Sequence, residues 1–239
     1  MKSLCIIPIY NEEARLQDLL EKVAITKKNT ENLEFLLVDN GSTDSSSKIM
    51  ISSKMKIIKL EKNYGVGYAL IKGLEYAINN NFDTIVHLAG NGKMLPEEII
   101  FFLNKIKKEK YNFVNGSRFL PSGNYKTNPK GRVFLIKILS LFISIIYGKK
   151  ITDVTCGFRA FDVKIFKDHI NFFKKEKFFT YRYEYYTYGK VLQNKNYKST
   201  EIPVTMNYPK KNYSKIKPVI DWIPIILGWI EARLDGKRI

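Results

Sequence analysis

Four short apolar runs punctuate the first half of the chain, and each gives way to a polar turn and then a helical repeat. The runs are residues 4–9 (LCIIPI), 34–38 (EFLLV), 55–60 (MKIIKL) and 84–89 (TIVHLA). The first is apolar throughout, the pattern of a strand covered on both faces in a parallel sheet. Leu16, Leu19, Leu20 and Val23 then recur at helical steps, as do Val66, Ala69, Leu70, Gly73, Leu74 and Ala77. That spacing puts each set on one helix face. Ile99, Ile100, Leu103 and Ile106 repeat the pattern after the fourth run. Such alternation predicts an α/β fold, a mostly parallel central sheet flanked by helices with right-handed crossovers.

In such a sheet, ligands bind at the turns beyond the carboxyl ends of the strands. Segment 84–96, TIVHLAGNGKMLP, is the central case: a strand, a turn with Gly90, Asn91 and Gly92, and a helix opened by Pro96, Glu97 and Glu98. Proline in the first turn followed by acidic residues is a helix-start signal. After the first strand, Asn11 reads as an N-cap. After the second, DNGSTD at 39–44 reads as a turn into another helix. Glu13 and Asp44 suit the positive ends of helices. Gly65, Val66 and Gly67 share spacing with a dinucleotide fingerprint, but that fingerprint belongs after the first strand. These glycines therefore read as letting a helix approach the sheet. His87 and His169 are not at ligand spacing, and His87 reads as structural or at most as supporting a residue that touches the ligand.

The second half is less regular. Residues 121–131 form a polar loop with Pro and Gly, the candidate boundary between two halves. Residues 131–147 predict a long apolar helix, 181–195 a tyrosine-rich helix with an aromatic core face, and 201–206 a strand. Residues 212–215 fall in a basic loop. The tail, 218–239, predicts an amphipathic helix carrying Trp222 and Trp229.

Forty Lys and Arg against 23 Asp and Glu leave a net charge of +17. That points to an anionic partner: nucleic acid, an acidic membrane surface or a phosphorylated ligand. The basic residues are scattered and no nucleic-acid motif occurs, which argues against nucleic acid. Cys5 and Cys156 make no disulfide framework, as expected in a reducing cytosol. The opening apolar run is too short for a signal peptide. No stretch reaches the roughly 20 apolar residues that span a bilayer. The expectation is a cytoplasmic protein, with peripheral contact at the cytoplasmic face of the membrane through the helices at 131–147 and 218–239. Core packing or a homo-oligomer interface are the other uses of those helices.

The motifs, taken together, resemble an inverting glycosyltransferase of family 2 with the Rossmann-like GT-A fold, and most of all the polyprenyl-phosphate sugar transferases. IIPIYNEE (6–13), VDNGSTD (38–44), NYGVGYAL (63–70), NGSRF (115–119), DVTCGFRAF (153–161), EIPV (201–204) and YSK (213–215) follow in that family's order. The resemblance implies one domain over 1–217, with a nucleotide-sugar half (1–115) and an acceptor half (116–217), followed by the helix and tail at 218–239. It implies transfer of a sugar from a nucleoside-diphosphate donor to an acceptor, a polyprenyl phosphate at the membrane surface. Pro8, Tyr10, Asn11, Glu12 and Gly65 would line the nucleotide pocket, and Asp39 would contact base or ribose. Arg118 and Arg159 would face phosphates. Arg132, Lys215 and Glu184 would serve the acceptor side. If the acceptor is a hydroxyl, a general base is required and Asp153 is the candidate.

One departure stands at the centre. The family places Asp-X-Asp there, chelating Mg²⁺ or Mn²⁺ on the donor diphosphate, and this chain has Ala89, Gly90 and Asn91. Mg²⁺ prefers charged oxygen ligands. Three readings stay open: a metal held by Asn91 and waters, a metal-independent site in which Lys93 supplies the cation, or a degenerate protein that binds nucleotide sugar without transferring it. A second departure is Pro209, where an arginine is expected before the YSK element, with Lys210 or Lys211 as stand-ins.

Overall fold

The computed structural model describes residues 1–125, 130–208 and 222–236. Strands β1 (Ser3–Ile9), β2 (Leu33–Asp39), β3 (Lys56–Lys59), β4 (Thr84–His87), β5 (Phe113–Ser117), β6 (Arg159–Asp162) and β7 (Ser199–Pro203) form one sheet. Their order is β3-β2-β1-β4-β6-β5-β7. β1 runs parallel to β2 and β4, β2 to β3, and β5 to β7. β6 alone runs antiparallel to its neighbours β4 and β5. Its amino end therefore lies at the same sheet edge as the carboxyl ends of β4 and β5. That register sets Arg159 opposite His87 on one side and Asn115 on the other.

The helices are α1 (Glu13–Asn29), α2 (Ser46–Ser52), α3 (Val66–Asn79), α4 (Ile99–Lys107), α5 (Lys130–Tyr147), α6 (Lys164–Lys167), α7 (Ile170–Phe173), α8 (Arg182–Gln193) and α9 (Trp222–Leu234). Strand alternation divides the core between the two sheet faces. Leu4 and Ile6 of β1 and Leu36 and Val38 of β2 pack with α3, α8 and α9. Cys5, Ile7 and Ile9, with Phe35 and Leu37, pack with α1, Met50 of α2, and α4. Both cysteines are buried and free, and burial pushes the Cys156 thiol up to about 12.

Several local expectations change. The strand expected over 84–89 ends at His87. Asn11 is not the N-cap of α1: it lies one residue before the cap position, with φ of 53°. Its amide instead accepts the Thr43 N–H at 2.8 Å and so ties the turn after β1 to the turn after β2. Asp44 accepts the N–H groups of Ser46 (2.9 Å) and Glu13 (3.2 Å), and Glu13 accepts that of Ser45 (2.9 Å). These two carboxylates satisfy the helix starts, as their charge suggested.

Gly67 lets α3 approach segment 178–180 rather than the sheet, since a Cβ there would lie 2.0 Å from the Phe178 carbonyl oxygen. The Phe179 carbonyl accepts the Gly67 and Tyr68 N–H groups at 2.9 and 3.3 Å, capping the helix. The tail helix is apolar on both sides, not amphipathic. Ile225, Trp229 and Ala232 of α9 are buried, while Ile223, Leu227, Ile230 and Leu234 face outward.

Candidate functional site

A cavity of about 740 Å³ opens at the carboxyl edge of β1 and β4, between the start of α3 and the start of α8. That volume suits a small-molecule ligand. Pro8, Tyr10 and Glu12 line one wall with Asn40, Asn63 and Gly65. The floor and far wall are His87, Ala89, Gly90, Asn91, Lys93, Gly157, Glu184 and Tyr185. Arg132, at the start of α5, and Pro224, at the start of α9, reach the same space. Lys215 lies outside the described residues, as do Pro209, Lys210 and Lys211.

Two expected nucleotide contacts, Asn11 and Asp39, do not line the cavity. Asn11 holds the neighbouring turn, as described above. Asp39 is buried, accepting the Ser42 N–H at 2.9 Å and the Ser47 hydroxyl. Its neighbour Asn40 reaches the cavity instead. The Asn40 amide donates to Asn63 at 2.9 Å and accepts the Tyr64 N–H at 3.1 Å. Asn63 also accepts the Gly65 N–H at 2.9 Å. Asn40 and Asn63 were missed in the sequence, although both lie within quoted motifs. The pairing of their amides depends on how the two loops meet.

Asp153 is fully buried, a poor position for a general base. Its carboxylate accepts from Arg118 Nε at 2.6 Å and Nη2 at 2.7 Å, and from the Thr155 N–H at 3.2 Å. Arg118 lines the cavity, but its donors are spent inside the protein. Beyond Asp153, Nη2 reaches Thr155 Oγ1 at 2.6 Å, and Nη1 reaches Tyr208 Oη at 3.1 Å and Met206 Sδ at 3.7 Å. A guanidinium has five N–H donors, and these contacts use them all. Burial alone would push the Arg118 pKa down, but the Asp153 carboxylate overrides it and the net direction is up. Arg118 therefore reads as framework rather than as a ready phosphate ligand.

Arg159 lies beneath the cavity floor. Its Nε donates to Asn115 Oδ1 at 3.0 Å and its Nη1 to the Glu184 carbonyl at 2.9 Å, while the Tyr185 ring packs 4.7 Å from the guanidinium carbon. Nη1 is also 3.9 Å from Glu184 Oε1, and His87 Nδ1 is 3.9 Å from the same oxygen. Both His87 nitrogens are buried with no hydrogen-bond partner among the described residues, and the ring reaches the cavity. Burial lowers the His87 pKa, with Glu184 opposing the shift. The imidazole is thus neutral near pH 7, with polar atoms available at the floor.

The central turn offers little to a divalent cation. Ala89 and Gly90 carry no side-chain oxygen, and the Asn91 amide oxygen already accepts the Lys93 N–H at 3.2 Å. Among the described residues no three His, Cys, Asp or Glu side chains converge as a metal site. Hard divalent ions prefer charged oxygens, and this donor set does not fit one.

The family model for glycosyl transferase family 2 matches residues 4–170. A polyprenol monophosphomannose synthase of Mycolicibacterium smegmatis is 25% identical over 166 residues, covering 67% of this chain and 61% of that protein. The chain thus spans about three fifths of that relative's length. A UDP-N-acetylglucosamine–dolichyl-phosphate N-acetylglucosaminyltransferase of Methanococcus voltae is 27% identical over 228 residues, covering 88% of this chain and 87% of that protein. Among solved structures, glucosyl-3-phosphoglycerate synthase of Mycobacterium tuberculosis, crystallised with Mn²⁺, UDP-glucose and phosphoglyceric acid, aligns with a TM-score of 0.69 at 13% identity. That alignment covers 98% of this chain and 79% of the synthase. The shared architecture is the GT-A fold that the sequence motifs imply.

Proposed function

The chain belongs to glycosyl transferase family 2, and on that premise we propose that it moves a sugar from a nucleoside-diphosphate donor to a polyprenyl phosphate at a membrane surface, with inversion. The observation that carries this reading is the cavity itself. It joins the carboxyl edge of the sheet to the starts of α5 and α9, two helices with exposed apolar faces. A ligand with a polar nucleotide end and an acceptor with a lipid tail can meet in such a place.

The division of labour follows from position. Pro8, Tyr10, Glu12, Asn40, Asn63 and Gly65 serve the nucleoside. Ala89, Gly90 and Asn91 face the diphosphate. Glu184 and His87 read the sugar hydroxyls, since a carboxylate accepts and a neutral imidazole both donates and accepts. Arg132 serves the acceptor phosphate, because a guanidinium fork matches two phosphate oxygens. A phosphate monoester is already an ionised nucleophile, so no general base is required. That agrees with the engagement of Asp153 by Arg118.

Peripheral membrane contact is part of the same proposal. Val133, Ile136, Ser140 and Ile143 of α5 are buried, while Phe134 (65% exposed), Leu141 (62%) and Ile145 (70%) point away from the protein. Lys130, Lys149 and Lys150 stand at its two ends, where they suit anionic headgroups. No helix of the described residues is long and apolar enough to cross a membrane.

The test is a transfer assay in vesicles carrying polyprenyl phosphate, with UDP-, GDP- and CDP-sugars offered in turn and lipid products read by mass spectrometry. A glycosylated polyprenyl phosphate from one donor is the expected product. Donor binding without any product would favour the degenerate, sugar-binding reading.

A further inference from the structure

Resting on the membrane-contact reading above, we propose that a second cavity, at the far end of α5 from the donor cavity, holds the phosphate headgroup of an anionic lipid. Four observations carry it.

The first is the cavity itself. It encloses about 550 Å³ and shares no lining residue with the donor cavity. Its walls are residues 149–152 after α5, Tyr188 and Leu192 of α8, and residues 198–201 at the start of β7. That volume suits a small polar group.

The second is charge. Lys149, Lys150 and Lys198 line the cavity and are exposed. None of the three makes an ion pair among the described residues. The carboxylate in the wall, Glu201, is turned toward the protein. Its Oε2 accepts the Thr152 N–H and hydroxyl, both at 2.7 Å. Its Oε1 accepts the Asp153 N–H and the Asn115 amide, both at 3.3 Å. The charge left facing solvent is that of the lysines.

The third is how the lysines are carried. The Lys149 N–H donates to the Ser144 carbonyl at 3.1 Å, and Gly148, with φ of 61°, turns the chain off the end of α5. The Lys198 N–H donates to Asn112 Oδ1 at 2.9 Å, and its carbonyl accepts the Asn112 N–H at 2.8 Å. Both backbones are pinned, while the flexible stems let the ammonium groups close on a phosphate. Tyr111, Tyr197 and Ser199 bring hydroxyl groups to the same wall, and hydroxyls donate to phosphate oxygens.

The fourth is position, and it favours a lipid phosphate over a free one. The 18 residues of α5 span about 27 Å. Arg132 reaches the donor cavity near one end, and Lys149 and Lys150 follow the other. Between them Phe134, Leu141, Ile145 and Ile146 point outward. A helix lying in the interface by such a face keeps both ends at headgroup depth. The donor cavity then meets the acceptor phosphate at one end, and the second cavity meets a lipid phosphate at the other.

The experiment is flotation of the full chain with phosphatidylcholine vesicles, with and without phosphatidylglycerol. Wild type is compared with the triple variant Lys149→Gln, Lys150→Gln, Lys198→Gln and with a control, Lys27→Gln, Lys28→Gln, Lys48→Gln. The control removes the same charge from exposed positions on α1 and α2, which pack on the opposite face of the sheet from Tyr188 and Leu192. The cavity triple is expected to weaken binding to anionic vesicles by about tenfold or more, and the control by less than about threefold. Lys198→Gln alone, away from α5, is expected to weaken it by about threefold or more. In solution, dihexanoyl phosphatidylglycerol below its micelle concentration is expected to shift the amide resonances of residues 149–152 and 198–201 saturably. Inorganic phosphate at the same concentration is expected to leave them in place.

Equal losses in the two triples, or no saturable shift at those residues, overturn the cavity assignment and leave peripheral membrane contact standing. Inorganic phosphate binding as tightly as the short-chain lipid overturns the lipid assignment. Failure of wild type to float with anionic vesicles overturns the membrane reading and this site with it. Melting temperature and nucleotide affinity, both expected to match wild type, report that the variants are folded. If the triple does not fold, Lys198→Gln and the wild-type resonance shifts decide.

Discussion

Asp153 grips Arg118 by two parallel hydrogen bonds, 2.6 Å to Nε and 2.7 Å to Nη2, with both side chains buried. The pair joins the carboxyl end of β5 to the segment leading into β6. Through Arg118 it also fixes Tyr208, whose ring carries the Lys93 ammonium. Removing one member of a buried ion pair strands the other and costs about 3–5 kcal/mol. Asp153→Asn is therefore expected to lower stability by roughly that amount in a denaturant titration. A fully stable Asp153→Asn variant that has lost sugar transfer while keeping nucleotide affinity would restore Asp153 as a general base.

His87 makes stability depend on pH. Burial lowers its folded-state pKa, so below the ordinary value of about 6.5 the unfolded chain takes up the proton first. Protons bound preferentially by the unfolded chain mean that stability falls as the medium is acidified. The His87 contribution is complete above about pH 6.5 and is lost progressively as pH falls toward the lower folded value. Glu184 and Arg159 face the ring and act in opposite senses, the first raising and the second lowering its pKa. Glu98 and Glu201, both raised by burial, add a pH dependence of the opposite sign that is common to wild type and variant. The measurement is therefore a difference: unfolding free energy against pH for wild type and His87→Gln. The two curves should diverge between pH 7 and 5, with the variant flatter. Parallel curves would remove His87 as the cause.

Strands β1, β2 and β4 were legible because they are short apolar runs that stop at polar turns, and burial on both faces requires that pattern, whereas the antiparallel β6 inside DVTCGFRAF was not. The long apolar helix from Lys130 was legible for the same reason. What sequence did not disclose is where a polar side chain spends its hydrogen bonds. Asn11, Asp39 and Asp153 each sit in a family-like motif, yet each is used to fasten one segment to another. Their partners lie about 30 residues away for Asn11 and Asp153, and in the following turn and first turn of α2 for Asp39. Asn40 and Asn63 reach the cavity through the same kind of non-local pairing. The missing carboxylates of the central turn could be read directly. Only the fold showed that Gly90 is pressed against β1 and that Lys93 is buried beside it.

Glu184 offers a test of the sugar end of the site. Its carboxylate lies against Gly157 in the cavity wall, where a Cβ would be 3.5 Å from Oε1. Hydrogen bonds to a charged group contribute about 1.5–3 kcal/mol. Glu184→Gln is therefore expected to slow sugar transfer by about 10- to 100-fold while leaving the affinity for the bare nucleoside diphosphate unchanged. Equal losses in both measurements would assign Glu184 to holding the floor through Arg159, rather than to contact with the sugar.

The exposed face of α5 separates membrane contact from self-association. Leu141 and Ile145 lie four residues apart on one outward face, and both are largely exposed. A helix that presents apolar residues outward and cations at its ends binds an interface by burying those side chains, helped by anionic lipid. Leu141→Glu with Ile145→Glu adds two negative charges to that face and removes its apolar surface. The double variant is expected to lose flotation with vesicles rich in anionic lipid, and to lose transfer to polyprenyl phosphate with it. Nucleotide affinity and melting temperature should hold, because neither side chain packs in the core. Flotation should also fall for the wild type when anionic lipid is replaced by zwitterionic lipid. A face used between two copies of the chain behaves differently. The variant would then shift from dimer to monomer in sedimentation, and vesicle binding would be indifferent to it.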